Sequence, residues 1–209
     1  MDYYERLAHY FHNKLEKNSD AYRWLRKRGI NDNSIDRFQL GVVLDAENGL
    51  QRFNRSISIP YVRPALDNEK SPIVAGLRFR HFVPDRTEQK YDALRGTKAH
   101  LYNVEATDAK DIYLCEGEFD AIILNQLGFR AVGVPGAQMF NPAWKYLFAG
   151  ADTVTLVFDG DEAGNKGSQR IASILGECCP VVRRALLPAG FDVTDMYIKQ
   201  PRALIGSLT

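Results

Sequence analysis

Thr153-Val154-Thr155-Leu156-Val157-Phe158-Asp159-Gly160-Asp161-Glu162-Ala163-Gly164 is the stretch that decides the fold. It reads as a strand, Thr153–Phe158, that ends in an acid–glycine–acid triplet and passes directly into a helix, Glu162–Leu175. Side chains two residues apart in extended backbone point the same way, so Asp159 and Asp161 can face one ion. Gly160 between them leaves room for another backbone to approach. Upstream, Asp111–Cys115 reads as a short apolar strand that delivers Glu116-Gly117-Glu118 into a helix, Phe119–Leu127, bearing Asp120. Ala131–Val134 and Pro180–Leu187 read as further strands, Pro142–Phe148 as a helix, and two short helices close the chain. Strands alternating with helices imply an α/β fold with a mostly parallel central sheet covered on both faces. Ligands of such sheets bind at the carboxyl edge of the strands.

Two strand ends therefore bring up to five carboxylates, Glu116, Glu118, Asp120, Asp159 and Asp161, into one neighbourhood. Like charges gathered there repel, and some proton affinities rise unless a divalent cation neutralises them. Oxygen donors without sulfur or imidazole favour Mg²⁺ or Mn²⁺. For any single acid after a strand the plain alternative is a helix N-cap. Two acidic strand ends with small residues interleaved favour the metal reading instead. The cysteines, Cys115, Cys178 and Cys179, have no CxxC spacing and are expected to be core thiols. His9, His12, His81 and His100 lack partners at ligand spacing.

The amino-terminal half has another texture. Tyr3, Leu7, Tyr10, Phe11 and Leu15 form an apolar stripe at helical spacing, Ser19 can cap a second helix ending at Gly29, and a third passes through Ile35 and Phe38. From Arg55 onward Ile57, Ile59 and Tyr61 alternate with polar residues, and Ile73–Arg80 does likewise. This predicts two strands joined by a turn at Leu66–Ser71, with residues 84–100 as a loop. The expected organisation is a basic α+β subdomain over 1–105 and an α/β subdomain over 106–209. Hydrophobic residues make up 45% of the chain and charged residues 25%, as in ordinary globular proteins. No apolar run reaches the roughly 18–20 residues of a membrane span. The start, Met1-Asp2-Tyr3-Tyr4-Glu5-Arg6, does not resemble a secretory signal, so a cytoplasmic protein without a membrane partner is expected. The net charge of +1 hides an asymmetry: residues 1–100 carry 18 Lys+Arg against 13 Asp+Glu, and residues 101–209 carry 9 against 13. A basic half suits a polyanion, and an acidic half suits metal ions or a catalytic site.

Glu116-Gly117-Glu118-Phe119-Asp120 and Asp159-Gly160-Asp161-Glu162-Ala163-Gly164 resemble the paired signatures of the Toprim domain, shared by bacterial-type (DnaG-type) primases, type IA and II topoisomerases and several nucleases. Leu187-Pro188-Ala189-Gly190-Phe191-Asp192 resembles the third, aspartate-bearing segment of the primases. Phe191, Val193 and Thr194 depart from it where lysine, proline and aspartate are usual. Arg23–Phe38 followed by Gln39-Leu40-Gly41 looks like the helical entry of the primase core. Arg55–Pro60 and Val74–Arg80 resemble its basic strand pair, Lys90-Tyr91 its Lys-Tyr loop, and Leu101-Tyr102-Asn103 the entry to Toprim. The likeness runs over roughly residues 20–200, and phage-encoded primases match best through Ile59-Pro60-Tyr61, Arg78-Phe79-Arg80 and Gly133–Ala137.

The resemblance implies template-directed RNA primer synthesis on single-stranded DNA from ribonucleoside triphosphates. It implies Asp159 and Asp161 as principal metal ligands with Asp120 and Asp192 nearby, and Glu116 as general base or added ligand. Arg55, Arg78, Arg80 and Lys90 would contact phosphates of template or nucleotide. Residues for an amino-terminal zinc ribbon are not seen, so a separate zinc-ribbon subunit or a replicative helicase is the expected partner. The alternatives are a Toprim-type metal-dependent nuclease and a non-catalytic nucleic-acid-binding replisome module. A topoisomerase fits less well, because no further domain supplies a tyrosine nucleophile.

Overall fold

A computed structural model describes residues 2–47, 49–65, 72–82 and 90–208. The chain divides into two compact units, Met1–Lys98 and Ala99–Thr209.

The first unit is a four-stranded antiparallel sheet with helices before it. Helix α1 (Tyr3–Asn13) starts at a capping box in which Asp2 and Glu5 satisfy each other's backbone amides. Helix α2 (Asp20–Lys27) is capped by Ser19 and α3 (Asp32–Arg37) by Asn31. Strands β1 (Gly41–Val43), β2 (Ser56–Arg63), β3 (Ile73–His81) and β4 (Tyr91–Ala93) pair in sequence order. The α1 residues Ala8 and Phe11 pack with Val43, Phe53, Leu77 and Phe79, and Phe53 stacks on Phe79 with ring centroids 4.0 Å apart. Strands β1 and β4 were not expected, because three residues are too few to show an alternating pattern. Strand β4 also corrects the reading of 84–100 as loop: Tyr91 pairs with Arg80 and Ala93 with Arg78. The expected turn at 66–71 lies outside the described residues.

The second unit holds the parallel sheet. Strands β5 (Asp111–Cys115), β6 (Ala131–Gly133), β7 (Thr153–Phe158) and β8 (Val181–Leu186) lie in the order β6-β5-β7-β8, every pair parallel. Helix α5 (Glu162–Leu175) covers one face, where Ile171 and Leu175 join Ile112, Leu114, Val154, Leu156 and Phe158 in a core completed by Phe140 and Phe148. The opposite face takes α4 (Glu118–Gln126), α6 (Val193–Lys199) and α7 (Pro201–Leu208), and the Tyr113 hydroxyl on that side donates to the Leu208 carbonyl at 3.0 Å. The segment Pro142–Phe148, expected as a helix, is a 3₁₀-helix with Asn141 as cap and proline in its first turn. Tyr102 and Gly133 exchange backbone hydrogen bonds of 2.8 and 3.0 Å, closing the free edge of β6. Asn103, held at φ 55°, donates from Nδ2 to the Ala131 carbonyl at 2.8 Å and to Asn125 Oδ1 at 3.2 Å, tying this segment to the end of α4. Among the described residues no helix is long and apolar enough to cross a membrane.

Gly41 marks the tightest crossing in the first unit. A methyl group there would lie 2.4 Å from the Phe11 carbonyl carbon and 2.6 Å from its oxygen, both backbone atoms of α1. Gly41→Ala must push α1 off the sheet, and urea unfolding is expected to register a loss of about 1–3 kcal/mol. An unchanged midpoint would show that α1 yields without cost.

Candidate metal centre and nucleic-acid interface

Strand register assembles the acidic site. Cys115 of β5 pairs with Val157 of β7, so the chain leaves the two strands within one residue of the same level, with Glu116 one residue beyond β5 and Asp159 one beyond β7. Phe158 pairs with Leu186, which sets Gly160 against the segment after β8. There the Gly160 N–H donates to the Phe191 carbonyl at 2.9 Å and the Gly190 N–H to the Gly160 carbonyl at 3.0 Å. A Cβ on Gly160 would stand 2.1 Å from the Pro188 oxygen, so only glycine lets this loop lie close enough to bring Asp192 alongside. Gly164 is constrained similarly, since its Cβ would meet the Asp159 carbonyl oxygen at 2.4 Å.

Asp159 is the electrostatic centre. Burial first, then the charges of Asp120, Glu116, Asp192 and Asp161, push its carboxyl up to about 8. Burial likewise raises Glu116, with Asp161 adding repulsion, although the backbone N–H groups of Asp159 and Ala137 favour its ionised form. Glu116 Oε2 is buried without a hydrogen-bond partner. Each of the other three carboxylates has an oxygen engaged by donors. Asp161 Oδ1 accepts from the Gly164 N–H at 2.7 Å as N-cap of α5, and Asp192 Oδ1 accepts from the Asp195 N–H at 2.5 Å as N-cap of α6. Asp120 Oδ1 accepts from the Thr194 backbone N–H at 3.2 Å and from its hydroxyl at 3.0 Å. The capping role and a ligand role therefore coexist, because a cap uses one carboxylate oxygen of two.

A buried acceptor with no donor, beside a carboxyl strongly biased toward its protonated form, is an arrangement that a hard cation would relieve. The fit is one of charge and donor type. Among the described residues no three His, Cys, Asp or Glu side chains are arranged to hold a metal ion as they stand. Glu118, the fifth acid expected from the strand ends, is buried at the start of α4 and is not among the carboxylates that raise Asp159, whereas Asp192 is.

Three supports escaped the sequence reading. The Ala137 amide serves Glu116, and the Ala137 carbonyl in turn accepts from Arg170 Nη2 at 2.8 Å. A Cβ on Gly167 would strike the Ala137 Cβ at 2.4 Å, so α5 passes close beneath that loop. Thr194, read in sequence as a lost acid, is a donor to Asp120. Backbone amides carry no sequence signature, and a threonine at a helix start reads as capping chemistry.

The four expected phosphate contacts lie in the first unit. Arg78 and Arg80 share one face of β3, and each guanidinium carbon sits 4.7 Å from the centroid of the Tyr91 ring. Arg78 Nη1 also donates to the Tyr61 hydroxyl at 3.4 Å. Arg55, at φ 62°, and Lys90 are exposed and flank the end of β3: the Arg55 carbonyl accepts from the Phe82 N–H at 3.3 Å, and the Lys90 carbonyl from the His81 N–H at 3.1 Å. Cations and an aromatic ring thus gather at one end of this sheet.

The raised carboxyls give a signed pH dependence. Asp159 binds its proton more tightly folded than unfolded, so it stabilises the metal-free fold fully below its ordinary value of 3.8, and that contribution is lost as pH rises through about 8. Glu116 acts in the same direction. Urea unfolding of metal-free protein should show stability falling between about pH 4 and 8, with a shallower fall in Asp159→Asn. An equal slope in wild type and variant would remove Asp159 as its source.

Residues 113–197 match the family model described as Toprim-like. Gene 57 protein of Mycobacterium phage D29 is 36% identical over 146 residues, covering 69% of this chain and 91% of that protein. DNA primases of Campylobacter jejuni and Clostridium acetobutylicum are 24% and 27% identical over 92% of this chain. The chain spans only 37% of the length of each of those two enzymes. Among solved structures, the zinc-binding and RNA polymerase domains of Aquifex aeolicus primase superpose with a TM-score of 0.77 at 22% identity, over 98% of this chain and 60% of that one. The primase fragment of the bacteriophage T7 primase-helicase superposes with a TM-score of 0.66 at 19% identity, over 88% and 72%. With acids at the carboxyl edge of its Toprim-like parallel sheet, a basic antiparallel unit before it and a phage relative at this identity, the chain belongs to the DnaG-type primase family.

Proposed function

We propose that the protein synthesises RNA primers on single-stranded DNA from ribonucleoside triphosphates at a divalent-metal-dependent site. The observation that carries this reading is Asp159, whose carboxyl is pushed up to about 8 by burial and by Asp120, Glu116, Asp192 and Asp161. In a family of primases, such a concentration of negative charge is matched to a cation that meets a nucleotide triphosphate. The Asp159, Asp161, Asp120, Asp192 and Glu116 carboxylates would hold Mg²⁺ or Mn²⁺, which supplies charge neutralisation for the phosphates as the bond changes hands. Glu116 Oε2, buried and without a donor, is suited to take the proton of the attacking 3′-hydroxyl. Its raised proton affinity brings it nearer the operating pH, where a general base is effective.

Arg55, Arg78, Arg80 and Lys90 would bind template or nucleotide phosphates, with the Tyr91 ring packed against the Arg78 and Arg80 guanidiniums. The A. aeolicus structure carries a zinc-binding domain beside its polymerase domain. A zinc-ribbon polypeptide is the partner we propose here, with a replicative helicase as the recruiting protein.

The test is template-directed synthesis on single-stranded DNA with labelled ribonucleotides and Mg²⁺ or Mn²⁺. Wild type should give oligonucleotide product, Asp159→Ala none, and Glu116→Gln a rate lower by about 10²–10⁴-fold. Template shortening without new product would transfer the site to a nuclease. DNA binding without either reaction would make the protein a binding module. Binding of single-stranded DNA should weaken with salt, and Arg78→Ala/Arg80→Ala should reduce the log–log slope by about 1.4, near 0.7 for each phosphate contact. An unchanged slope would take these two arginines off the phosphates.

A further inference from the structure

Thr194 stands where the resembling segment of primases has an aspartate, and its place in the fold gives it another task. It is 4% exposed, in the first turn of α6, and Asp120, 9% exposed, faces it from the first turn of α4. Both Thr194 donors, the backbone N–H at 3.2 Å and the hydroxyl at 3.0 Å, converge on one oxygen, Asp120 Oδ1. The other oxygen, Oδ2, lies toward the end of β5, 3.5 Å from where a Cβ on Gly117 would stand. One oxygen is thus pinned to α6 while the second is presented over the strand end that carries Glu116. Among the charges that raise Asp159, Asp120 contributes most. A carboxylate at position 194 would sit at the same spot as an acceptor facing an acceptor. The hydroxyl instead donates, and it adds no negative charge to a crowded site.

We propose that Thr194 is a positioning residue for the acidic site: by fixing Asp120 through Oδ1 it orients Oδ2 for a divalent cation. This rests on the metal reading above. Removing a hydrogen-bond partner of a ligand typically weakens metal binding by about 10–100-fold. Thr194→Val keeps the volume and the backbone N–H but deletes the hydroxyl, whereas Thr194→Ser keeps the donor.

The experiment is Mn²⁺ binding to the full chain, read from the electron paramagnetic resonance signal of free Mn²⁺, with thermal unfolding of the metal-free proteins alongside. Thr194→Val should bind Mn²⁺ about tenfold or more weakly, and Thr194→Ser should stay within about twofold of wild type. In an Asp120→Asn background Thr194→Val should add little, because the two side chains act through one contact. A purely structural role predicts a lowered melting temperature, unchanged Mn²⁺ affinity and additive effects, and that result overturns the proposal while leaving the metal site standing. Wild type that binds no Mn²⁺ overturns the metal reading and the proposal with it. If T194V does not fold, T194A against T194S makes the same comparison of hydroxyl lost and hydroxyl kept.

Discussion

Repulsion among carboxylates at one edge of a parallel sheet is the constraint around which the second unit is arranged. Strands β5 and β7 are neighbours in register, so the acids that follow them cannot avoid each other. The surrounding backbone is shaped to hold them there regardless. Gly160 and Gly164 permit main-chain approaches that any side chain would block, and the segment after β8 is hydrogen-bonded directly onto the turn between Asp159 and Asp161. Two acids are tied down as helix caps and one by threonine donors. Such a site stores unfavourable electrostatic energy, which the cation of the proposed function would release.

Much of this was legible in the sequence, for identifiable reasons. The bounds of β5, β7 and α5 agree residue for residue with the expectation, because each apolar run is punctuated by acids and glycines that cannot continue it. The acids after those strands could be placed together once a parallel sheet was inferred. The amino-terminal unit was harder. Strands β1 and β4 have three residues each and take their identity from the longer strands they pair with, a non-local cause that no local pattern records. Within the site, what escaped was the second layer: an amide from Ala137, a guanidinium from Arg170, a hydroxyl from Thr194. Each acts through one directed hydrogen bond, and direction is a property of the folded backbone.

The two units carry their charge in different ways. The first presents charge of one sign on alternating positions of a strand, with an aromatic ring beside it, and leaves its cations exposed or half-exposed. In the proposed function such a surface would grip a flexible polyanion through many weak contacts that carry little sequence information. The second concentrates the opposite sign in a partly buried cluster, where one oxygen each of Asp120, Asp161 and Asp192 accepts a hydrogen bond. The near-zero net charge of the chain is the sum of a diffuse positive surface and a focused negative one, and the average describes neither.

The treatment of the parallel sheet's margins has a consequence for folding. Parallel sheets form late, through contacts distant in sequence, and an open strand edge is then available to any passing chain. On the β6 side Tyr102 occupies the edge with its own backbone, so the entry segment to the unit acts as a plug. Among the described residues the β8 side has no such cover in the sheet, and there Arg183 and Arg184 sit in mid-strand, with Arg184 tethered to Ser168 and Asn165. Adjacent cations on an outer strand repel a second copy of themselves, which makes self-association edge to edge unfavourable while the core is still consolidating.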